Sequence, residues 1–352
     1  MKAAVYHGRG DLRLEEIPVP EPGPGELLVR VDACGICPTD LKKIQKGLLP
    51  GPRVFGHEIA GTVAGLGRGT TGWREGERVV VHHHVPCGAC YYCVRHAYAQ
   101  CAQYKRNGTS AGFEPSGGGY AEYVRVLDWI VRRGVVGIPD GFPAEEASFV
   151  EPVNTCLKAV QKACVSPGDF VLVVGQGPIG LLLMQLARCA GATVAASDPL
   201  AERRTLAASL GASVVIDAAE DVPARVRGLT EGRGADCVLV AAGGAAALGQ
   251  AVAASRPAGR ILSFAATSPG ETAQIDFGLL TTAEKDILTA YSSSIDLQQE
   301  AAELVFSRAV RVRELVSHRF PIERAGEAFA LALRPAAGTL KVVLRTNGGD
   351  AR

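Results

Sequence analysis

Four cysteines crowd into "CGACYYCVRHAYAQC", at Cys87, Cys90, Cys93 and Cys101. The spacing C-x2-C-x2-C-x7-C lets one loop wrap a single ion, and four thiolates suit tetrahedral Zn2+. Such a set leaves no position for water or substrate. The cluster therefore reads as a staple for a lobe of about residues 82–105, with no catalytic part. Free thiols and an iron–sulfur cluster are the alternatives at this spacing. A second group is mixed: Cys37 in "CGICPTD", His57 and Glu58 in "GHE", and Glu151 in "EPVNTC". Each alone is unremarkable, since a histidine beside an acid is commonly just a hydrogen-bonded residue. Together, one thiolate, one imidazole and one or two carboxylates make a metal site that can keep a position open for a guest.

A third pattern binds nucleotides. The apolar run "FVLVV" leads into "GQGPIG", residues Gly175, Gln176, Gly177, Pro178, Ile179 and Gly180, and a helical pattern follows. Asp198 closes the next apolar run. This is the full dinucleotide fingerprint, with glycines for the tight turn and the close approach of a pyrophosphate to a helix N-terminus. Asp198 suits the two ribose hydroxyls and repels a 2′-phosphate, so NAD is expected over NADP. Arg203 and Arg204 lie one turn on and weaken that preference. The run His82, His83, His84 also invites a metal, but strand alternation would send His83 to the opposite face from its neighbours. They read as loop histidines at the edge of the lobe.

The elements that must position these groups alternate in style. Residues 1 to about 154 are rich in Gly and Pro, with β-like runs such as "KAAVY", "ELLVRVDAC", "EIAGTVAGLG", "ERVVV" and "GYAEYVRVL". Residues 155–292 alternate apolar strands ("FVLVV", "TVAAS", "SVVI", "DCVLVAA", "GRILSFA", "KDILTAY") with mostly helical segments. That gives six strands with crossovers, a doubly wound parallel sheet and an α/β fold class. The tail, 293–352, opens with a helical stretch and ends in the strand "TLKVVLR", and is expected to pack back on the first domain.

With 352 residues, 47% hydrophobic, 21% charged and a net charge of +1, the chain reads as an ordinary globular protein of two domains. It lacks the basic excess that nucleic acid or an anionic membrane would want. No stretch makes a clean membrane span, and the N-terminal residues have no long apolar core of a signal peptide. The ten cysteines are accordingly expected in a reducing cytoplasm, where clustering favours metal over disulfide.

Taken together, "MKAAVY", "PGPGELLVRV", "GICPTD", "GHEIAGTV", the cysteine lobe, "GGGYAEYV", "GQGPIG" and "GTLKVVL" resemble the zinc-dependent medium-chain dehydrogenase/reductase superfamily over nearly the whole chain. Glu151, where classical alcohol dehydrogenases carry a third cysteine ligand, resembles the sorbitol (polyol) and threonine 3-dehydrogenase branch. The resemblance implies a GroES-like catalytic domain (1–154 and 293–352), a Rossmann domain (155–292), and two zinc ions per chain. It implies catalytic zinc on Cys37 and His57, with Glu58 or Glu151 as third protein ligand, since family members differ on which one touches the metal; Glu58 is favoured, with Glu151 bridging through the zinc water or exchanging with it. Asp40 would orient His57, and Thr39 would accept the substrate proton. Thr155 would lie beside the nicotinamide and Lys341 near the pyrophosphate. His84 matches a histidine near the substrate of threonine dehydrogenases. Many relatives end the proton relay with a histidine two residues after the Asp40 position. Lys42 stands there, which leaves the proton's exit to Lys42 or Glu151. The expected reaction is the reversible, NAD-linked oxidation of a secondary alcohol (polyol, cyclitol, diol or amino alcohol such as threonine) to a ketone, in a homotetramer or dimer. A zinc-independent enone or quinone reductase and a non-catalytic NAD-binding protein are the rivals, and both sit poorly with the retained ligands. Leu49, Phe113, Tyr120 and Tyr291 are expected to line the substrate pocket.

Overall fold

The computed structural model describes residues 1–106, 108–113, 116–264 and 270–346. Ala265, at the end of the expected strand "GRILSFA", and residues 347–352 lie outside them. The chain forms two compact units. One comprises Met1–Asn154, Ser293–Arg308 and Val312–Arg352, and the other Thr155–Ser292 with Ala309–Arg311. The break falls inside the helix Val150–Lys162.

The first unit is built on a mostly antiparallel sheet whose central strand is Leu27–Gly35. Its apolar residues Leu27, Val29, Val31 and Ala33 are all buried, at the period of two that a half-covered strand requires. This strand pairs with Glu58–Leu66, Tyr123–Val126 and the C-terminal strand Lys341–Arg345. Register matters here. Gly35 lies opposite Glu58 on one side and opposite Val343 on the other. Cys37 leaves the central strand two residues later, and His57 precedes its neighbour by one. Pairing that is set by buried apolar residues therefore carries a thiol, an imidazole and a carboxylate, distant in sequence, to one end of the sheet. The helix Pro38–Lys46 begins directly after Cys37 with proline in its first turn, where a missing N–H costs nothing.

The second unit contains a six-stranded, all-parallel sheet formed by Val214–Asp217, Thr193–Asp198, Phe170–Val174, Ala235–Val240, Ser255–Ser263 and Asp286–Thr289, in that spatial order. The order reverses beside Phe170–Val174, the first strand in sequence, and such a switch point is where doubly wound sheets bind ligands. The helix Pro178–Cys189 follows it, with Leu181, Leu182, Leu183 and Met184 fully buried. Each such side chain contributes about 2 kcal/mol of burial, which explains a helix apolar on nearly every face. Gly191, in the left-handed region, follows the end of that helix. No helix among the described residues is long and apolar enough to cross a membrane.

Candidate active site and metal centres

The lobe cysteines converge. The thiols of Cys87, Cys90, Cys93 and Cys101 all lie within 4.8 Å of one another. Sγ–Sγ separations are 3.8 Å for Cys87–Cys93 and 3.5 Å for Cys90–Cys93. A tetrahedron with arms of about 2.3 Å has edges of about 3.8 Å, so four thiolates around zinc fit this cradle. Backbone N–H groups of Ala89 and Cys90 hold the Cys87 thiol down at about 6. Burial, with Cys90 beside it, pushes Cys93 up to about 12. The loop thus supplies anion-stabilising donors before any ion arrives. Of the other cysteines, Cys34, Cys156 and Cys237 are buried as expected of small apolar residues, but Cys164 and Cys189 are exposed. Both sit at helix ends, Cys189 as the last residue of its helix and Cys164 in the turn after Lys162.

The mixed group also converges. The ligand atoms of Cys37, His57 and Glu58 lie within 4.8 Å of one another. His57 Nδ1 is 2.9 Å from Asp40 Oδ2, which leaves Nε2 for the cluster. The same Asp40 oxygen accepts from the Gly56 backbone N–H at 3.2 Å and the Tyr120 hydroxyl at 3.3 Å. Lys43, one residue beyond the expected Lys42, reaches Asp40 Oδ1 at 3.5 Å. Burial alone would protonate Asp40. The facing His57, Lys43 and the Gly56 N–H override it and hold the carboxyl well below its ordinary range. Burial likewise opposes a charge on His57, but Asp40 and Cys37 raise its pKa well above the usual value. The proton on Nε2 stands in for a cation between imidazole and thiol, which is the chemistry a metal would take over.

Tyr120, expected on the pocket wall, is fully buried instead. Its hydroxyl accepts from the Cys37 backbone N–H at 3.3 Å while it donates to Asp40. It braces the site from behind, because a tyrosine buried this deeply must spend its hydroxyl on internal partners. Leu49 is half-buried, and Phe113 and Tyr291 are exposed. Thr39 and Lys42 are half-buried on the helix Pro38–Lys46.

Lys341, expected near a pyrophosphate, is buried in the first unit with its ammonium 2.5 Å from both carboxylate oxygens of Glu58. Burial alone would strip its proton, but Glu58, Cys37 and Glu151 raise its pKa. Gly35 makes room for the pair: a Cβ there would meet Glu58 Oε2 at 2.0 Å and Lys341 Cε at 2.7 Å.

The three histidines also depart from expectation. The strand Arg78–Val81 ends before them, so alternation does not separate them. His82 is buried and donates from Nδ1 to Gln298 at 2.9 Å. The His83 ring lies 4.8 Å from that of His57 and 4.1 Å from that of His84, which stacks on Tyr104. His83 Nδ1 is 3.8 Å from Glu151 Oε1. Burial, then the neighbouring His84, His57, His82 and Lys43, keep His83 neutral. Among the described residues, neither Glu151 nor His83 belongs to the set of mutually close ligand atoms that Cys37, His57 and Glu58 form.

In the second unit, a cavity of about 420 Å³ opens at the switch point, lined by Gly175, Gly177, Asp198 and Arg203 among others. Gly175 has φ +90°, and a Cβ there would meet the Ala242 backbone nitrogen at 2.9 Å. A Cβ on Gly180 would strike the Gly175 carbonyl. Gly177 differs, because a Cβ there would meet nothing nearer than Arg203 Nη1 at 3.9 Å. The first and third glycines are therefore required by the protein's own packing, and the second keeps space beside a helix N-terminus for a ligand. Pro178 and Ile179 form the first turn of that helix. Asp198 accepts from the backbone N–H groups of Gln176 at 2.7 Å and Leu200 at 2.9 Å, with Arg203 at 3.8 Å. Arg204 is held by the Asp198 carbonyl and by Asp217. Thr155 lies half-buried on the helix Val150–Lys162.

Comparison with known proteins decides the family. Residues 23–140 match the alcohol dehydrogenase GroES-like domain, and residues 178–307 the zinc-binding dehydrogenase domain. L-threonine 3-dehydrogenase of Pyrococcus abyssi (strain GE5 / Orsay) is 34% identical, over 94% of this chain and 95% of its own. The chain belongs to the zinc-dependent medium-chain dehydrogenase family. Within this family it is similar to sorbitol dehydrogenase of Bacillus subtilis (strain 168), at 29% identity over 99% of this chain and 98% of the relative. It is also similar to the crystal structure of 2R,3R-butanediol dehydrogenase from Bacillus subtilis, with a TM-score of 0.86 and 28% identity, covering 98% of this chain and 99% of the other. These relatives make the chain an oxidoreductase acting on CH–OH groups, in the polyol and threonine branch of the medium-chain dehydrogenases.

Proposed function

We propose that the protein carries out the reversible, NAD-linked oxidation of a secondary alcohol (polyol, cyclitol, diol or amino alcohol) to a ketone, with two zinc ions per chain. The observation that carries this reading is the meeting of Cys37, His57 and Glu58 within 4.8 Å of one another. These three ligands would leave a place for substrate, in contrast to the closed thiol set of the lobe. Zinc held there would act as a Lewis acid that lowers the pKa of an alcohol. Asp40 holds His57 with Nε2 turned toward the cluster, and Tyr120 fixes Asp40 and the Cys37 backbone. Lys341 holds Glu58, so that this carboxylate is shared between an ammonium and the metal position. Glu151 stands behind as a second carboxylate. Thr39 would accept the substrate proton, with Lys42 or Glu151 as its exit. Asp198 supports NAD over NADP, and Arg203 beside it tempers that preference. A homotetramer or dimer in the cytoplasm, acting on a small molecule, completes the reading.

The test pairs a metal count with an alcohol panel. Two zinc per chain, and NADH formation from secondary alcohols that exceeds NADPH formation, are expected. Protein that holds both ions yet forms no reduced nicotinamide from any polyol, cyclitol, diol or amino alcohol would overturn the reading.

A further inference from the structure

His83 is the group in the catalytic unit that the reading above leaves without a task. Its side chain is 5% exposed, and Nδ1 has no hydrogen-bond partner among the described residues. Leaving such an atom unpaired forfeits its hydration without return, so buried polar atoms nearly always have a partner or a ligand. The ring is wedged between the His57 ring at 4.8 Å and the Glu151 carboxylate, whose Oε1 lies 3.8 Å from Nδ1. That separation is too long for a hydrogen bond and short enough for one oxygen atom to bridge both groups.

We propose that His83 and Glu151 form a recognition pair for a second hydroxyl of the substrate, on a carbon close to the one oxidised, which makes the substrate a vicinal diol or polyol. This deepens the proposed function and rests on it. A hydroxyl is the group that matches the pair, because it donates to the carboxylate and accepts from an imidazole N–H with the same oxygen. The carboxylate favours the tautomer that carries its hydrogen on Nδ1, facing it. An ammonium in the same place has only donors and would meet that N–H with one of them. The pair therefore favours diols over amino alcohols. A simple secondary alcohol leaves the buried His83 N–H unsatisfied, and a site with an unpaired buried polar atom discriminates strongly.

The experiment compares butane-2,3-diol, butan-2-ol and threonine as substrates of the zinc-loaded wild type, His83→Leu and His83→Asn. Leucine removes the polar atom, and asparagine keeps a donor close to the position of Nδ1. The wild type is expected to prefer the diol in kcat/KM by about tenfold or more over both other substrates, the effect of one well-placed hydrogen bond. His83→Leu should lose that preference mainly through the KM for the diol, and His83→Asn should recover part of it. Binding of butane-2,3-diol to the wild-type enzyme–NADH complex, read by NADH fluorescence, gives a measure free of turnover and of variant folding, and should be about tenfold tighter than that of butan-2-ol. Equal binding of the two alcohols, a preference for threonine, an unchanged ratio in His83→Leu, or a loss of zinc that lowers both alcohols alike each overturns the role of His83. A wild type that oxidises alcohols but fails these tests leaves the proposed function standing, and one that oxidises none removes that function first.

Discussion

The two cysteine-bearing centres are built in opposite ways. The lobe takes four like ligands from one short stretch, partly exposed, with backbone N–H groups as the main support for its thiols. The mixed group takes three unlike side chains from two strand ends, Glu58 buried and Cys37 and His57 half-buried, and each has a named support: Tyr120 behind Cys37, Asp40 behind His57, Lys341 against Glu58. A closed set of thiolates needs only a loop able to wrap an ion. An open set must hold its geometry with one position left for a guest, so the surrounding fold has to do the holding. The difference teaches that a cluster gathered from one stretch and a cluster gathered across strands part company in how much of the fold supports each side chain.

The largest contrast comes from one substitution in each centre. Cys37→Ser is expected to lower turnover by about a thousandfold, the several kcal/mol a Lewis acid supplies, while NADH binding stays within about twofold. Cys93→Ser should instead lower Tm by about 5 °C or more, with kcat per intact catalytic centre little changed. Metal analysis should find one zinc per chain in each variant. Equal losses of turnover in both would erase the distinction between the centres.

A smaller effect probes the scaffolding itself. Asp40→Asn keeps the shape but removes the charge that faces His57, and should weaken the catalytic zinc or activity by about 10- to 100-fold. The lobe zinc should be untouched, as measured by sequential release to a chelator. Simultaneous release of both ions would mean that the two centres share one fate.

The smallest effect is one of pH. Burial depresses His82 to about 4, although its hydrogen bond to Gln298 works the other way. The unfolded chain, with an ordinary histidine near 6.5, binds more protons between these two values. Stability is therefore fully present above pH 6.5 and is lost as pH falls toward 4, by about 2 kcal/mol between pH 7 and 5. Denaturant unfolding across that range should show the slope in the wild type and a flatter one in His82→Gln. A slope that survives the substitution would assign the acid sensitivity to other groups.

The same comparison explains what could be read in advance. The parallel sheet was legible because each strand and turn announces itself locally: "FVLVV" before "GQGPIG", and Asp198 at the end of the next strand. The lobe was legible for the same reason, since all four thiols are near neighbours in the chain. Cys37, His57 and Glu58 were legible as residue types, but their supports were not. Lys341 meets Glu58 across 283 residues, and nothing in "GTLKVVL" predicts that meeting without the pairing of Lys341–Arg345 with Leu27–Gly35. Tyr120 was legible as a residue near the site but not as a buried brace, because its partners Cys37 and Asp40 come from a distant segment of the chain. His83 was misread because alternation was carried past the end of its strand.

Gly35 shows how far such dependence reaches. It carries neither charge nor donor in its side chain, yet the salt link between strands exists only because that spot is blank. An added methyl group would force Glu58 and Lys341 apart and register in assays as an electrostatic lesion, though no ionisable atom had been altered. In this neighbourhood an empty volume is as much a determinant of the charge arrangement as the atoms that border it.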